Sequence, residues 1–114
     1  MTRRDIEVEE LLQRYAAGER NFANIRLYDI DDRLCGCNLS GINLSGSKIS
    51  AYLADVDLSG ADLSNNIIGG SLWKTNLTRA NLEGVEFKGV RFHETIMPDG
   101  SIWNEDRGSN CIYR

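Results

Sequence analysis

The sequence predicts an all-β solenoid, a chain wound into about four coils of four sides each, and three observations carry that prediction. A large apolar residue returns at every fifth position through long stretches, as Leu39 and Leu44, then Leu58 and Leu63. A small or modest residue stands two places before many of these, as Ile42 before Leu44, Ala61 before Leu63 and Ala80 before Leu82. A short polar side chain separates each pair: Asn38, Asn43, Asp57, Asp62, Asn76 and Asn81.

No regular element has this period. Five residues at about 100° per residue do not return to one helical face, and five at about 180° reverse the face of a strand. A chain that turns by about a right angle after each pentad solves the problem, because every side then aims one large residue at a common axis and the fourth side closes the coil. Positions two apart on an extended segment point the same way. The small and large residues therefore both face in, and the Asn or Asp between them faces out. Those outward amides and carboxylates are suited to bonding backbone groups at the corners, and the Ser-Gly pairs after the leucines supply turn-tolerant residues.

Reading the chain side by side assigns the core. Side one carries Phe22, Leu44, Leu63 and Leu82; side two Leu27, Ile49, Ile68 and Phe87; side three Leu34, Leu53, Leu72 and Phe92; side four Leu39, Leu58, Leu77 and Met97. Ile67 serves as well as Ile68 on this reading, and the pattern does not separate them. The step from Leu27 to Leu34 is two residues too long, and those from Ile49 to Leu53 and from Ile68 to Leu72 are each one residue short. All three slips fall at the corner between sides two and three. Sides four and one carry the regular repeats, so half of the prism is uniform and half individual.

The individual half holds the candidate functional residues. Around side three, Arg33, Tyr52, Asp55, Trp73, Lys74, Arg91, His93 and Glu94 are expected to face outward, an aromatic and charged surface on a prism otherwise rich in Ser, Asn and Thr. Exposed aromatics with arginine are the composition of interaction hot spots. Two readings stand: a partner-binding site, or side chains that cover a distorted corner.

A stacked coil leaves apolar surface and unpaired strand edges at its ends and needs caps. In "IEVEELLQRYAAG", Val8, Leu11, Leu12 and Tyr15 fall at helical spacing, with acidic residues early and Gly18 to close, which predicts a capping helix within residues 1–19. The solenoid is expected over 20–98. Pro98, Asp99 and Gly100 then signal a turn, and the segment 99–114 forms a cap in which Ile102 and Trp103 fold over the last coil. Its end, from Glu105 to Arg114, is expected to be loose, with docking open to Cys111, Ile112 and Tyr113. The whole is expected to be one domain, since 114 residues bury one core comfortably.

The repeats resemble those of the pentapeptide-repeat family, whose pattern is Ala-Asp/Asn-Leu-X-X. "ADLSN" from Ala61 and "ANLEG" from Ala80 match it outright, and "VDLSG", "INLSG" and "TNLTR" are close variants. The resemblance implies a right-handed quadrilateral β-helix with four pentads per coil. The phrase "ETIMPDGSIW" is also similar to the segment that closes the repeats in many bacterial, especially cyanobacterial, members. Members of this family are mostly without known catalysis, which implies a non-catalytic protein–protein interaction module, an adaptor or regulator with a protein partner. The quinolone-resistance members imply an alternative, a DNA-mimic inhibitor of a topoisomerase such as gyrase.

Charge arithmetic bears on that alternative. The net charge is −4 with a pI near 4.9, yet residues 20–97 hold nine Asp or Glu against eight Lys or Arg, far from an acidic rod. A four-coil stack is also only about half of one DNA helical repeat of roughly 34 Å. The acidic balance argues against direct nucleic-acid binding. No apolar run approaches the roughly 18 residues that span a bilayer, and "MTRRDIEVEE" has no apolar stretch after its basic residues, so a cytoplasmic location without membrane association is expected. A monomer or an end-to-end homodimer both fit.

The chemistry of catalysis is not visible. Three cysteines and one histidine are too few for a disulfide framework or a zinc cluster. In Cys35-Gly36-Cys37 the pentad register turns Cys37 inward as a small core filler and Cys35 outward. His93 has no nucleophile fixed beside it, and no nucleophile elbow, phosphate loop, zinc-protease or dinucleotide motif occurs. No enzyme activity, cofactor or metal is expected, and a filled prism is expected to offer no concave pocket.

Overall fold

The computed structural model describes residues 2–104 and the backbone of residues 111–112. The strands are β1 (Arg4–Asp5), β2 (Ile25–Asp29), β3 (Lys48–Tyr52), β4 (Ile67–Trp73), β5 (Glu86–Phe87), β6 (Arg91–His93), β7 (Thr95–Ile96), β8 (Ile102–Trp103) and β9 (Cys111–Ile112), with one helix, α1 (Val8–Ala16). The chain is a β-solenoid of about four turns in which every side pairs in parallel with the same side one coil later. On side two the register runs Leu27 to Ile49 to Ile68 to Phe87. Side three pairs Leu72 with Phe92. On side four Asn38, Asp57, Asn76 and Ile96 form a column of bridges, and on side one Asn21, Asn43, Asp62 and Asn81 form another.

The inward assignment holds throughout: none of the large residues placed on the four sides is more than 4% exposed. Ile68, not Ile67, is the inward residue of its pair, buried at 2%. The polar residue before each leucine closes its own corner. Oδ1 of Asn38, Asn43, Asp57, Asp62, Asn76 and Asn81 each accepts the N–H two residues on, at 2.9 to 3.0 Å. This is the Asx turn that makes Asn and Asp corner residues.

Several inward small-residue slots are polar and bond between coils. Ser47 Oγ accepts the Ile25 N–H at 3.1 Å, Asn66 donates to the Leu44 carbonyl at 2.7 Å, and Thr75 donates to the Leu53 carbonyl at 2.7 Å. Thr95 repeats the Thr75 arrangement one coil on, donating to the Leu72 carbonyl. Buried hydroxyls satisfied in this way avoid the cost of an unpaired polar group.

Between sides two and three the irregular steps have a common outcome. Ile49, Ala51 and Leu53 alternate inward at the strand period, and in the next coil Ile68 and Leu72 are buried with the half-buried Gly70 between them. A four-residue step is two strand periods, so β3 and β4 stay paired strands across this corner, with β4 bending at Gly70, φ +104°. In the first coil Asp29 stands in register with Ala51, and Ala51 with Gly70. Asp29 is 1% exposed and stitches the inserted loop shut: its carboxylate accepts N–H bonds from Asp31 at 3.2 Å and Leu34 at 3.0 Å.

Helix α1 lies over the first coil with Val8 and Leu11 buried and Leu12 and Tyr15 partly so. Tyr15 donates its hydroxyl to the Ser40 carbonyl at 2.7 Å. Glu9 and Glu10 occupy its first turn, where carboxylates favour the helix dipole, and Gly18 follows it at φ +102°. At the other end β7 and β8 form an antiparallel hairpin. Trp103 meets Phe92 edge-on at 5.0 Å, so it does fold over the last coil. Ile102 does not; it is 51% exposed, because neighbouring residues of a strand point to opposite faces. β9 adds antiparallel to β5. The expectations for residues 105–110 and 113–114, and for the side chains of Cys111 and Ile112, fall outside the described residues.

Candidate interaction surface

Side three is built from the residues flanking its inward column. In the row before that column, Tyr52 pairs with Ser71 and Ser71 with Arg91; in the row after it, Trp73 pairs with His93. Alternation aims both rows outward. Tyr52 is 42% and Trp73 48% exposed, and the Trp73 and His93 rings meet at 4.4 Å and 43°. The sequence-predicted residues Tyr52, Trp73, Arg91 and His93 are thus brought together. Asp55, Lys74 and Glu94 follow at the next corner with left-handed backbone, at φ 59°, 55° and 49°, and the His93 Nε2 lies 3.8 Å from a Glu94 oxygen.

Arg33 has a different employment. Its guanidinium holds Glu9 of α1 at 2.6 Å and reaches Asp29 at 3.5 Å, tying the inserted loop to the capping helix. That pairing leaves it part of the first-coil end rather than of the aromatic cluster.

The two described cysteines do not form a common site. Cys35 Sγ lies 3.7 Å from the Tyr52 carbonyl, whereas Cys37 packs against the core with its Sγ 3.8 Å from the Arg33 carbonyl. Burial pushes both thiols above their ordinary pKa, the opposite of what a reactive thiolate needs. Among the described residues no cluster of His, Cys, Asp or Glu could hold a metal ion, and no helix is long and apolar enough to cross a membrane.

A family model for pentapeptide repeats, in eight copies, matches residues 33–65 and 66–97. The chain belongs to the pentapeptide-repeat family. Among solved structures it is similar to alr5209, a pentapeptide repeat protein from Nostoc Pcc 7120, at 28% identity over 80% of this chain and 83% of that one, with a TM-score of 0.34. It is also similar to HetL from Nostoc sp. strain PCC 7120, a pentapeptide repeat protein involved in heterocyst differentiation regulation, at 26% identity and a TM-score of 0.31. That match covers 73% of this chain and about half, 51%, of HetL. No curated protein sequence matches the chain.

Two features of this pentapeptide-repeat protein escaped the sequence reading. Tyr28 and Ile30 are 65% and 49% exposed, on side two and the inserted loop, because attention to side three alone passed over the strand that feeds it. The surface is also not convex throughout: an open groove of about 630 Å³ lies where the N-terminal segment meets side two, lined by Asp5, Glu7, Arg26, Tyr28, Arg33 and Lys48 among others. The expectation of no concave pocket considered the stacked coils and omitted the chain wrapped outside them. Its charges largely cancel, with Arg26 on Asp5 at 2.7 Å and Arg33 on Glu9.

Proposed function

We propose that this chain is a non-catalytic protein–protein interaction module, an adaptor or regulator, that docks a protein partner through side three. The supporting observation is the cluster of the exposed Tyr52 and Trp73 with the half-buried His93 on a parallel sheet, whereas sides four and one present mainly short polar residues. Large aromatics at low conformational cost carry binding energy well. DNA mimicry draws little support: the repeat body is almost neutral, and the molecule measures 34 × 29 × 25 Å with its caps, far from an extended acidic rod.

The test is affinity capture from lysate of the native cell with wild type and with the variant Tyr52→Ala, Trp73→Ala, His93→Ala, each shown to be folded by its thermal transition. A protein retained by wild type and lost by the variant supports docking through side three. Recovery of the same proteins by both reduces these residues to cover over an irregular corner.

A further inference from the structure

Because β3 and β4 keep their ladder across the corner between sides two and three, with β4 bending at Gly70, φ +104°, the outward residues of the two sides lie on one continuous hydrogen-bonded sheet. Ser50 pairs with Gly69 and Tyr52 with Ser71 across the centre of that sheet; Tyr28 stands in register with Ser50 on one side, and Arg91 with Ser71 on the other. The centre is therefore floored by Ser50, Gly69 and Ser71, where there is little side-chain bulk, and rimmed by the exposed rings of Tyr28, Tyr52 and Trp73.

The rim also carries cations. Lys48 lies at the side-two margin, Lys88 next to Gly69, and Arg91 below Ser71; of the acids there, Glu86 sits 4.0 Å from Lys88, Asp5 pairs with Arg26, and Glu7 lines the adjoining groove with Lys48. Lys48 and Arg91 make no ion pair among the described residues. Lys48 is moreover directly opposite Arg26 in the ladder, a like-charge pairing that costs stability. Arg26 turns to Asp5 at 2.7 Å. From Lys48 to Arg91 the backbone positions span roughly 13 Å along the strands and about 10 Å across them, the reach of about five extended residues.

We propose that this continuous face docks an acidic, extended peptide segment of the partner protein, with carboxylates toward Lys48, Lys88 and Arg91 and apolar side chains against Tyr28, Tyr52 and Trp73. The inference rests on the interaction-module reading and adds the partner's chemistry and the participation of side two. Small floor residues admit the peptide backbone; flanking cations select its charge and speed its encounter.

The experiment is selection of a displayed random-peptide library on the immobilised full chain, followed by anisotropy titration of the enriched synthetic peptides. Expected are peptides rich in Asp and Glu with interspersed aromatic or aliphatic residues, whose affinity falls with salt and weakens by about tenfold or more in Lys48→Glu, Arg91→Glu. A control with the same charge change elsewhere, Arg4→Glu, Arg79→Glu, is expected to retain them. If the reversed variant fails to fold, Lys48→Gln, Arg91→Gln takes its place. An enriched pool without acidic residues that is lost in Tyr52→Ala, Trp73→Ala overturns the acidic partner and leaves the interaction reading standing. No enriched pool, a pool indifferent to every one of these variants, or displacement of the peptides by an equally tight single-stranded oligonucleotide overturns the proposal.

Discussion

Sides four and one, set against sides two and three, show what a pentapeptide repeat contributes and what its failure contributes. On the regular sides each pentad ends in a turn closed by its own Asn or Asp, as Asp57 closes on Ser59 and Asp62 on Ser64, and the resulting narrow faces present short polar groups. Where the step shortens to four, the strands stay paired across the corner, and β3 and β4 carry Ser50, Tyr52, Ser71 and Trp73 on one continuous ladder. The core is continuous beneath both halves. Regularity thus builds the scaffold, and the departures from it extend the strand ladder across a corner.

If the core is common to both halves, emptying it should cost the same in either. Leu63→Ala on side one and Leu53→Ala on side three, buried at 1% and 4%, are each expected to lose about 2 to 5 kcal/mol in urea denaturation, from lost transfer energy and the void left on the axis. A clearly smaller loss at Leu53 would mean that the irregular half packs loosely.

The corners, in contrast, should behave differently. Gly60 ends a regular turn at φ +67°, and a Cβ added there would meet nothing within 4 Å, whereas at Gly70, φ +104°, a Cβ would sit 2.1 Å from the Ala51 carbonyl oxygen. Gly60→Ala is expected to cost about 1 to 2 kcal/mol of backbone strain. Gly70→Ala should exceed it by about 1 to 3 kcal/mol, the typical cost of overpacking, since the obstacle is backbone of the neighbouring strand. Equal losses would show that the strand-through geometry is not what constrains Gly70.

Asp29 tests how the first coil tolerates its longer step. Asp29→Ala leaves the buried Leu34 N–H and the Asp31 N–H without their acceptor, a loss of about 1 to 3 kcal/mol. Asp29→Asn retains one acceptor oxygen and should recover part of it. An Asp29→Ala protein as stable as wild type would mean that the inserted loop is held by the Arg33 bridge to Glu9 instead.

The legibility of the sequence follows the same division. The inward column was readable because a pentad repeats its demand on every coil, so that Leu39, Leu58, Leu77 and Met97 confirm one another. The three slips were also readable as slips. Their geometry was not: a missing residue between Ile49 and Leu53 could break the ladder at the corner or let it continue, and only the pairing of Lys48–Tyr52 with Ile67–Ser71 decides. For that reason the sequence places Tyr52, Trp73, Arg91 and His93 on one surface, but not Tyr28, Lys48, Ser50 and Lys88, which the ladder sets beside them. The ion pair of Arg33 was not legible for a related reason, since its partner Glu9 comes from a helix whose placement the repeat does not encode.

The smallest expected effect concerns a regular corner. Asp57 accepts both the Ser59 hydroxyl at 2.7 Å and the Ser59 N–H at 2.9 Å, and these bonds, the hydroxyl's first, hold its pKa below the ordinary aspartate value. A folded-state pKa lower than the unfolded one, about 3.9, means that the ionised carboxylate contributes stability above that pH and loses it as the pH falls through the folded value. Asn38 and Asn76, in the same column, make the equivalent N–H bond with an amide oxygen, so Asp57→Asn should keep the turn. At neutral pH the variant is expected to be slightly less stable than wild type, and the difference should close as the pH drops below about 4. Denaturation curves taken across that range check it. A gap that persists unchanged into acid would place the Asp57 contribution in the geometry of the turn alone, making the carboxylate and amide corners of the regular half energetically alike.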